Sequence, residues 1–218
     1  MAPGNKPKGA GLACIPSTYA DFDAREHAAQ RERGRFIALA GDVDSGNHSL
    51  DAIRDGVTAF VNGAAWMIYS SPHARPDDMR WRIILPLAEE QGFDSWHDAQ
   101  LSFFAHMEAR GIAMDHALAR AAQPVYLPNV PAVHAKTETP LRGPDGKPLY
   151  FVREHSGLDK PGLDLTAGVA ADGIAAIAKR RADDERARET LRREAEHRRA
   201  SMPKGDGASV AAGPRFLK

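Results

Sequence analysis

Arg35-Phe36-Ile37-Ala38-Leu39-Ala40-Gly41-Asp42, continued by Val43-Asp44, is a short apolar run that ends in acidic residues. It is too short for an ordinary helix, and its closing glycine and carboxylates read as a strand running into a turn. Working outward, Leu50, Ile53, Val57, Phe60 and Val61 recur at helical spacing after Ser49, and Gly63 stands where that helix should stop. Residues 66–71 form a second expected strand and 80–87 a third. The polar stretch between them, with Pro72 and Pro76, predicts a hairpin with a long loop. A second helix is expected from about Ser95, turning Trp96, Leu101, Phe104 and Met107 inward and ending at Gly111. Residues 123–128, bounded by prolines, make a fourth short strand. The order β-α-β-β-α-β predicts an α+β fold: an antiparallel, RRM-like sheet with both helices on one face.

The rest of the chain divides by composition. Residues 1–16 read as a loose leader, 17–160 as the folded domain, 161–200 as a charged helical tail and 201–218 as a disordered end. A further charged helix is expected around residues 19–33, and a small hairpin at 141–152 around Pro144-Asp145-Gly146-Lys147. In the tail helix the apolar residues Ile174, Ile177 and Leu191 are too sparse to bury a face. With 43% hydrophobic residues in 218, a packed core is expected. No apolar run approaches the roughly 20 residues of a membrane span, and residues 1–10 do not read as a secretory signal. A soluble, cytoplasmic protein is expected, with no membrane partner. The single cysteine, Cys14, excludes an internal disulfide framework and a Cys-rich zinc site. Net charge is zero, but residues 179–218 hold 12 Lys/Arg against 7 Asp/Glu and the preceding residues 17 against 22. That distribution describes an acidic body with a basic arm, or equally an ordinary solvated helix.

Three groups of residues carry candidate chemistry. Asp42 and Asp44 end the first strand, and the two-residue period places both carboxylates on one face. Hard oxygen ligands so placed suit Mg²⁺ or Mn²⁺, especially an ion also held by phosphates. The competing reading is a solvated turn, since Ser45-Gly46-Asn47 follows. Ser71-Pro72-His73 ends the second strand, while Arg80 and Arg82 enter the third on one face. A pair of guanidinium groups is what a bidentate phosphate clamp requires, although an edge-exposed pair and a loop histidine have the same spelling. Asp115, after Met114, taken alone reads as a solvated acid. In the expected sheet, where first and third strands are neighbours, all these groups converge on one open face.

Other signals fall away. An EF-hand fails because Gly46 occupies a ligand position. Gly143-Pro144-Asp145-Gly146-Lys147 has the wrong spacing for a P-loop, with Pro148 in place of Ser or Thr. The histidines lack a shared helical face, and no glycine-flanked nucleophile serine is present.

The motifs Gly41-Asp42-Val43-Asp44, Ser71-Pro72-His73 and Met114-Asp115, in that order, resemble the hDhD, SxH and hD motifs of the archaeo-eukaryotic primase superfamily. The likeness is to the primase–polymerase domains of plasmid and phage replication proteins. Residues 68–73 running on to 80–87, and Asp115 followed by 123–128, also look like that branch. The resemblance covers about residues 30–135. It implies an RRM-like catalytic core in which Asp42, Asp44 and Asp115 bind catalytic Mg²⁺ or Mn²⁺. Ser71 and His73 would contact the incoming nucleotide, and Arg82 or Arg80 its phosphates. The implied partners are a single-stranded DNA template, nucleoside triphosphates and a separate helicase, because the chain carries no Walker motif. Two departures stand out: Gly41 replaces the first hydrophobic residue of hDhD, and the body is acidic. The expected activity is a template-directed nucleotidyltransferase. The alternative is a non-catalytic RRM-like nucleic-acid-binding or replication-accessory protein, which would need exposed aromatics on its sheet.

Overall fold

The computed structural model describes residues 3–6, 11–134, 137–157 and 159–201. The chain divides into two compact units, residues 1–178 and 179–218. Strand β1 is Ala13–Cys14, helix α1 His27–Arg33, β2 Phe36–Val43, α2 Leu50–Val61, β3 Met67–Ser70 and β4 Trp81–Gln91. Helix α3 (Phe93–Glu108), a 3₁₀ turn (His116–Ala119), β5 (Val125–Tyr126), β6 (Arg153–His155) and α4 (Gly168–Ser201) follow. The expected α+β class with an antiparallel sheet is what the chain forms.

The main sheet has the order β2-β4-β3-β6, and every pairing in it is antiparallel. The first and third expected strands are neighbours, with Asp42 opposite Arg82 and Gly41 opposite Ile83. Ser49 caps α2 by accepting a hydrogen bond from the Ala52 amide, at 3.2 Å. That helix ends at Asn62 and Gly63, both with left-handed backbone (φ 45° and 88°), a conformation glycine and asparagine tolerate best. Helix α3 starts at Phe93, two residues earlier than the sequence predicts, and buries Phe103 as well as Trp96, Phe104 and Met107. Phe60 of α2 meets Phe103 of α3 with ring centroids 5.2 Å apart.

The fourth strand is where the structure departs from the expected β-α-β-β-α-β sheet. Val125–Tyr126 does not join the sheet but pairs with Ala13–Cys14. The place beside β2 is already taken. Gln100 of α3 accepts from the Ala40 amide (3.1 Å) and donates to the Ala40 carbonyl (2.6 Å). Trp96 Nε1 donates to the Ala38 carbonyl at 3.0 Å, and the Ile37 amide donates to the Pro16 carbonyl at 2.9 Å. An edge whose main-chain groups are satisfied this way offers nothing to another strand. The fourth strand is β6 instead, on the opposite side, from a segment the sequence placed just past a small hairpin.

The leader is a second correction. Within the described residues, Gly4 and Lys6 bind Pro128 and Asn129, the Leu12 carbonyl accepts from the Leu127 amide, and Ala13 and Cys14 pair with β5. It is therefore tied to the folded unit. The expected helix over residues 19–33 is confined to His27–Arg33. Around 141–152 the turn forms, with the Gly143 amide donating to the Lys147 carbonyl at 2.9 Å, though no strand flanks it.

In the second unit, the described residues 179–201 are the continuation of α4; over 179–199 it is mostly exposed and is laced by Arg186–Asp183, Arg193–Glu189 and Arg192–Glu196 pairs. Exposed pairs of this kind each contribute only a few tenths of a kcal/mol, roughly. Apart from Ser201, the end expected to be disordered lies outside the described residues. Among the described residues no helix is long and apolar enough to cross a membrane.

Candidate active site

Alternation along β2 and β4 sorts the sheet into two chemistries. Gly41, Val43, Trp81 and Ile83 turn toward the helices, while Asp42 and Arg82 turn the other way, paired across the strands. Gly41 has no room for a side chain: a Cβ there would lie 2.7 Å from Met114 Cε and 3.1 Å from Phe103 Cε1. Glycine in this hDhD-like motif is thus matched to the large methionine before Asp115.

The same packing delivers the third carboxylate. The Asp115 amide donates to the Asp42 carbonyl at 3.0 Å, stitching the segment after α3 to the end of β2. Asp115 itself caps the 3₁₀ turn by accepting from the Ala117 amide at 2.9 Å. Asp42 is only 8% exposed, whereas Asp44 and Asp115 are exposed. The solvated-turn reading therefore does not hold for Asp42.

Arg82 donates to Asp42 Oδ2 from both Nε (3.2 Å) and Nη2 (3.0 Å). Oδ1 of Asp42 is buried without a hydrogen-bond partner. Burial pushes the Asp42 carboxyl up to about 6; Arg82 opposes this, while the Asp44 and Asp115 charges add to it. A carboxylate whose charge is disfavoured first by burial and further by two neighbouring carboxylates, with one oxygen unused, favours a cation.

Beside this cluster is a cleft, partly open to solvent, lined by Asp44, Ser71, Pro72, His73, Arg80, Arg82, Tyr126, Asn129 and Gly11. Ser71 is buried, and its amide donates to the Arg80 carbonyl at 2.9 Å, closing the strand pair at the cleft. The His73 ring meets His134 edge-on at 4.4 Å between centroids. Arg80 is held by Asp78, with Nη2 to Oδ2 at 2.8 Å.

No family model, no curated protein and no solved structure matches this chain.

The candidate residues named from sequence thus fall around the end of β2 and one adjoining cleft. The expected open sheet face is corrected, however: the β1–β5 ribbon and Asn129 form a second wall. Sequence reasoning missed Tyr126, Asn129 and Gly11 for that reason. Tyr126 receives the Tyr69 hydroxyl on its carbonyl at 2.5 Å, and its ring lies 5.4 Å from the Arg82 guanidinium. The signal that pointed to this region was the proline-bounded stretch at 123–128.

Among the described residues, no group of three or more His, Cys, Asp or Glu side chains is disposed to hold a metal ion by itself. Mg²⁺ characteristically takes one or two carboxylates and completes its shell with water and substrate phosphates. The unused Asp42 Oδ1 and the exposed Asp44 fit that mode.

Proposed function

We propose that this chain is a metal-dependent, template-directed nucleotidyltransferase of the primase–polymerase type, acting in plasmid or phage DNA replication. The observation that carries the reading is the Asp115–Asp42 main-chain bond, which gathers three acidic residues at a strand end beside an arginine-lined cleft. The order of the first three strands of the main sheet is that of an RRM-like core, which supports the same reading.

In the reaction, a primer 3′-hydroxyl gives its proton to solvent and forms a bond to the α-phosphorus of a nucleoside triphosphate as the bond from that phosphorus to the bridging oxygen breaks, and pyrophosphate leaves in line. Asp42 and Asp44 would hold Mg²⁺ or Mn²⁺, which when bound neutralises phosphate charge and makes the hydroxyl more acidic. Asp115, held against Asp42, adds the negative field that keeps a cation there. Arg80 and Arg82 clamp the polyphosphate, and Ser71 and His73 orient the nucleotide, acting by position and charge. A single-stranded template, and a helicase on another chain, complete the proposed system.

The rival reading, an RRM-like binding module, needs aromatic rings exposed on the sheet. Trp66, Tyr69 and Trp81 are 8%, 1% and 0% exposed, so nothing in the sheet favours it.

Incorporation of labelled nucleotide on a primed single-stranded template, with Mg²⁺ or Mn²⁺, tests the proposal. Metal-dependent product is expected from the wild type and none from the Asp42→Ala/Asp44→Ala variant of unchanged circular dichroism. A folded wild type that is inactive with both metals, or an active double variant, overturns it.

A further inference from the structure

The cleft has two unlike walls. One is cationic, built by Arg80 and Arg82. The other is the β1–β5 ribbon, where Tyr126 is the only Phe, Tyr or Trp among the described lining residues. We infer that the Tyr126 ring is the base-contacting residue of the cleft, stacking on the nucleobase of a nucleoside triphosphate whose phosphates lie on the arginines. This rests on the nucleotide reading above and extends it to a residue that none of the sequence motifs assigned.

The argument starts from what holds Tyr126. Its main chain is fixed from two sides. Its carbonyl accepts from the buried Tyr69 hydroxyl at 2.5 Å and lies 3.5 Å from Arg82 Nη1. On the other side it pairs with Ala13. The residue, by contrast, is only half-buried and is not part of the hydrophobic core. A side chain whose backbone is anchored and whose ring borders a cleft is placed by the fold without being consumed by it.

The Arg82 guanidinium lies over one face of the ring, 5.4 Å from its centroid, so an anion on Arg82 brings the rest of a nucleotide to the ring's other, cleft-bordering side. The ribbon is packed tightly where it forms the wall: a Cβ on Gly11 would lie 3.2 Å from Asn129 Nδ2. Asn129 in turn accepts from the Lys6 amide at 3.0 Å and donates to the Lys6 carbonyl at 2.9 Å. Tyr69 is accordingly a positioning residue, acting through the Tyr126 carbonyl. Stacking on an aromatic ring is tolerant of base identity, which suits an enzyme whose template chooses the base.

Calorimetric titration with ATP and with inorganic tripolyphosphate, in Mg²⁺ throughout, separates the two walls. Wild type is expected to bind both, ATP more tightly. Tyr126→Ala should weaken ATP binding roughly tenfold and leave tripolyphosphate unchanged, while Tyr126→Phe binds as wild type. Tyr126→Leu, which keeps bulk and loses the π face, should follow Tyr126→Ala and serves if the alanine variant does not fold. Equal weakening of both ligands, or of neither, overturns the stacking role while the nucleotide reading survives. A wild type that binds ATP no better than tripolyphosphate overturns the stacking role in the same way. A wild type that binds neither ligand overturns the nucleotide reading and this inference together.

Discussion

The two faces of the main sheet are built from adjacent residues of the same strands, yet they do opposite work. On the helix side Val43, Trp81 and Ile83 are fully buried and join the core formed with α2 and α3. One residue away in sequence, Asp42 and Arg82 pair on the cleft side, where one carboxylate oxygen is left unused. The pleat is what allows this, since successive side chains of a strand point to opposite faces. Core packing and the proposed chemistry are thereby separated by one residue, and a substitution at one position should leave the neighbouring role intact.

The sharpest way to break this comparison is on the helix side. Ile83→Ala removes a fully buried side chain and should cost about 2–5 kcal/mol, measured by urea unfolding. The fraction that remains folded should keep the proposed nucleotide affinity. An equally large loss of stability in Asp44→Ala, an exposed residue at the cleft, would collapse the distinction between the faces.

The next effect is a pH dependence confined to the cleft side. The Asp42 carboxyl is raised from its ordinary value of 3.8 to about 6, chiefly by burial. Its contribution to stability is therefore present in full below about pH 4 and is lost as pH rises through 6. In metal-free buffer the stability of Asp42→Asn relative to wild type should improve between pH 4 and 8, by at most about 3 kcal/mol. A difference that stays flat over this window would mean that Asp42 is not destabilised by its burial. Adding Mg²⁺ should stabilise the wild type and not the variant.

A smaller effect tests the join between the faces. Gly41→Val thrusts a side chain against Met114, Phe103 and Ile83 and should cost about 1–3 kcal/mol by overpacking. Met114→Ala in the same chain should recover part of that loss, because Met114 Cε is the nearest atom. Additive losses in the double variant would show that the two positions do not share the space.

Much of this was legible in the sequence, for identifiable reasons. The first three strands and two long helices carried clear periodicities. Asp42 and Asp44, Ser71 and His73, and Arg80 and Arg82 each lay at a strand end, so strand pairing alone brought them near one another. What was not legible involved long-range competition. Nothing in Val125–Tyr126 says that Gln100 and Trp96, far along the chain, satisfy the main chain of β2 and exclude a fourth strand there. The leader looked loose because its glycines and prolines carry no apolar pattern; main-chain bonds hold it, and those leave no trace in side-chain composition.

By itself, then, the sequence determined the α+β class, the strand ends that present carboxylates and guanidinium groups, and the alternation that divides the sheet. Each is a local property, fixed by residue type and a period of a few residues. The tertiary structure alone decided which strand closes the sheet, how Asp115 reaches Asp42, and that a ribbon pairing the leader with residues 125–126 walls the cleft and sets Tyr126 beside Arg82. Those outcomes depend on which distant group reaches each unpaired main-chain donor and acceptor, and burial leaves none of them free to go unsatisfied.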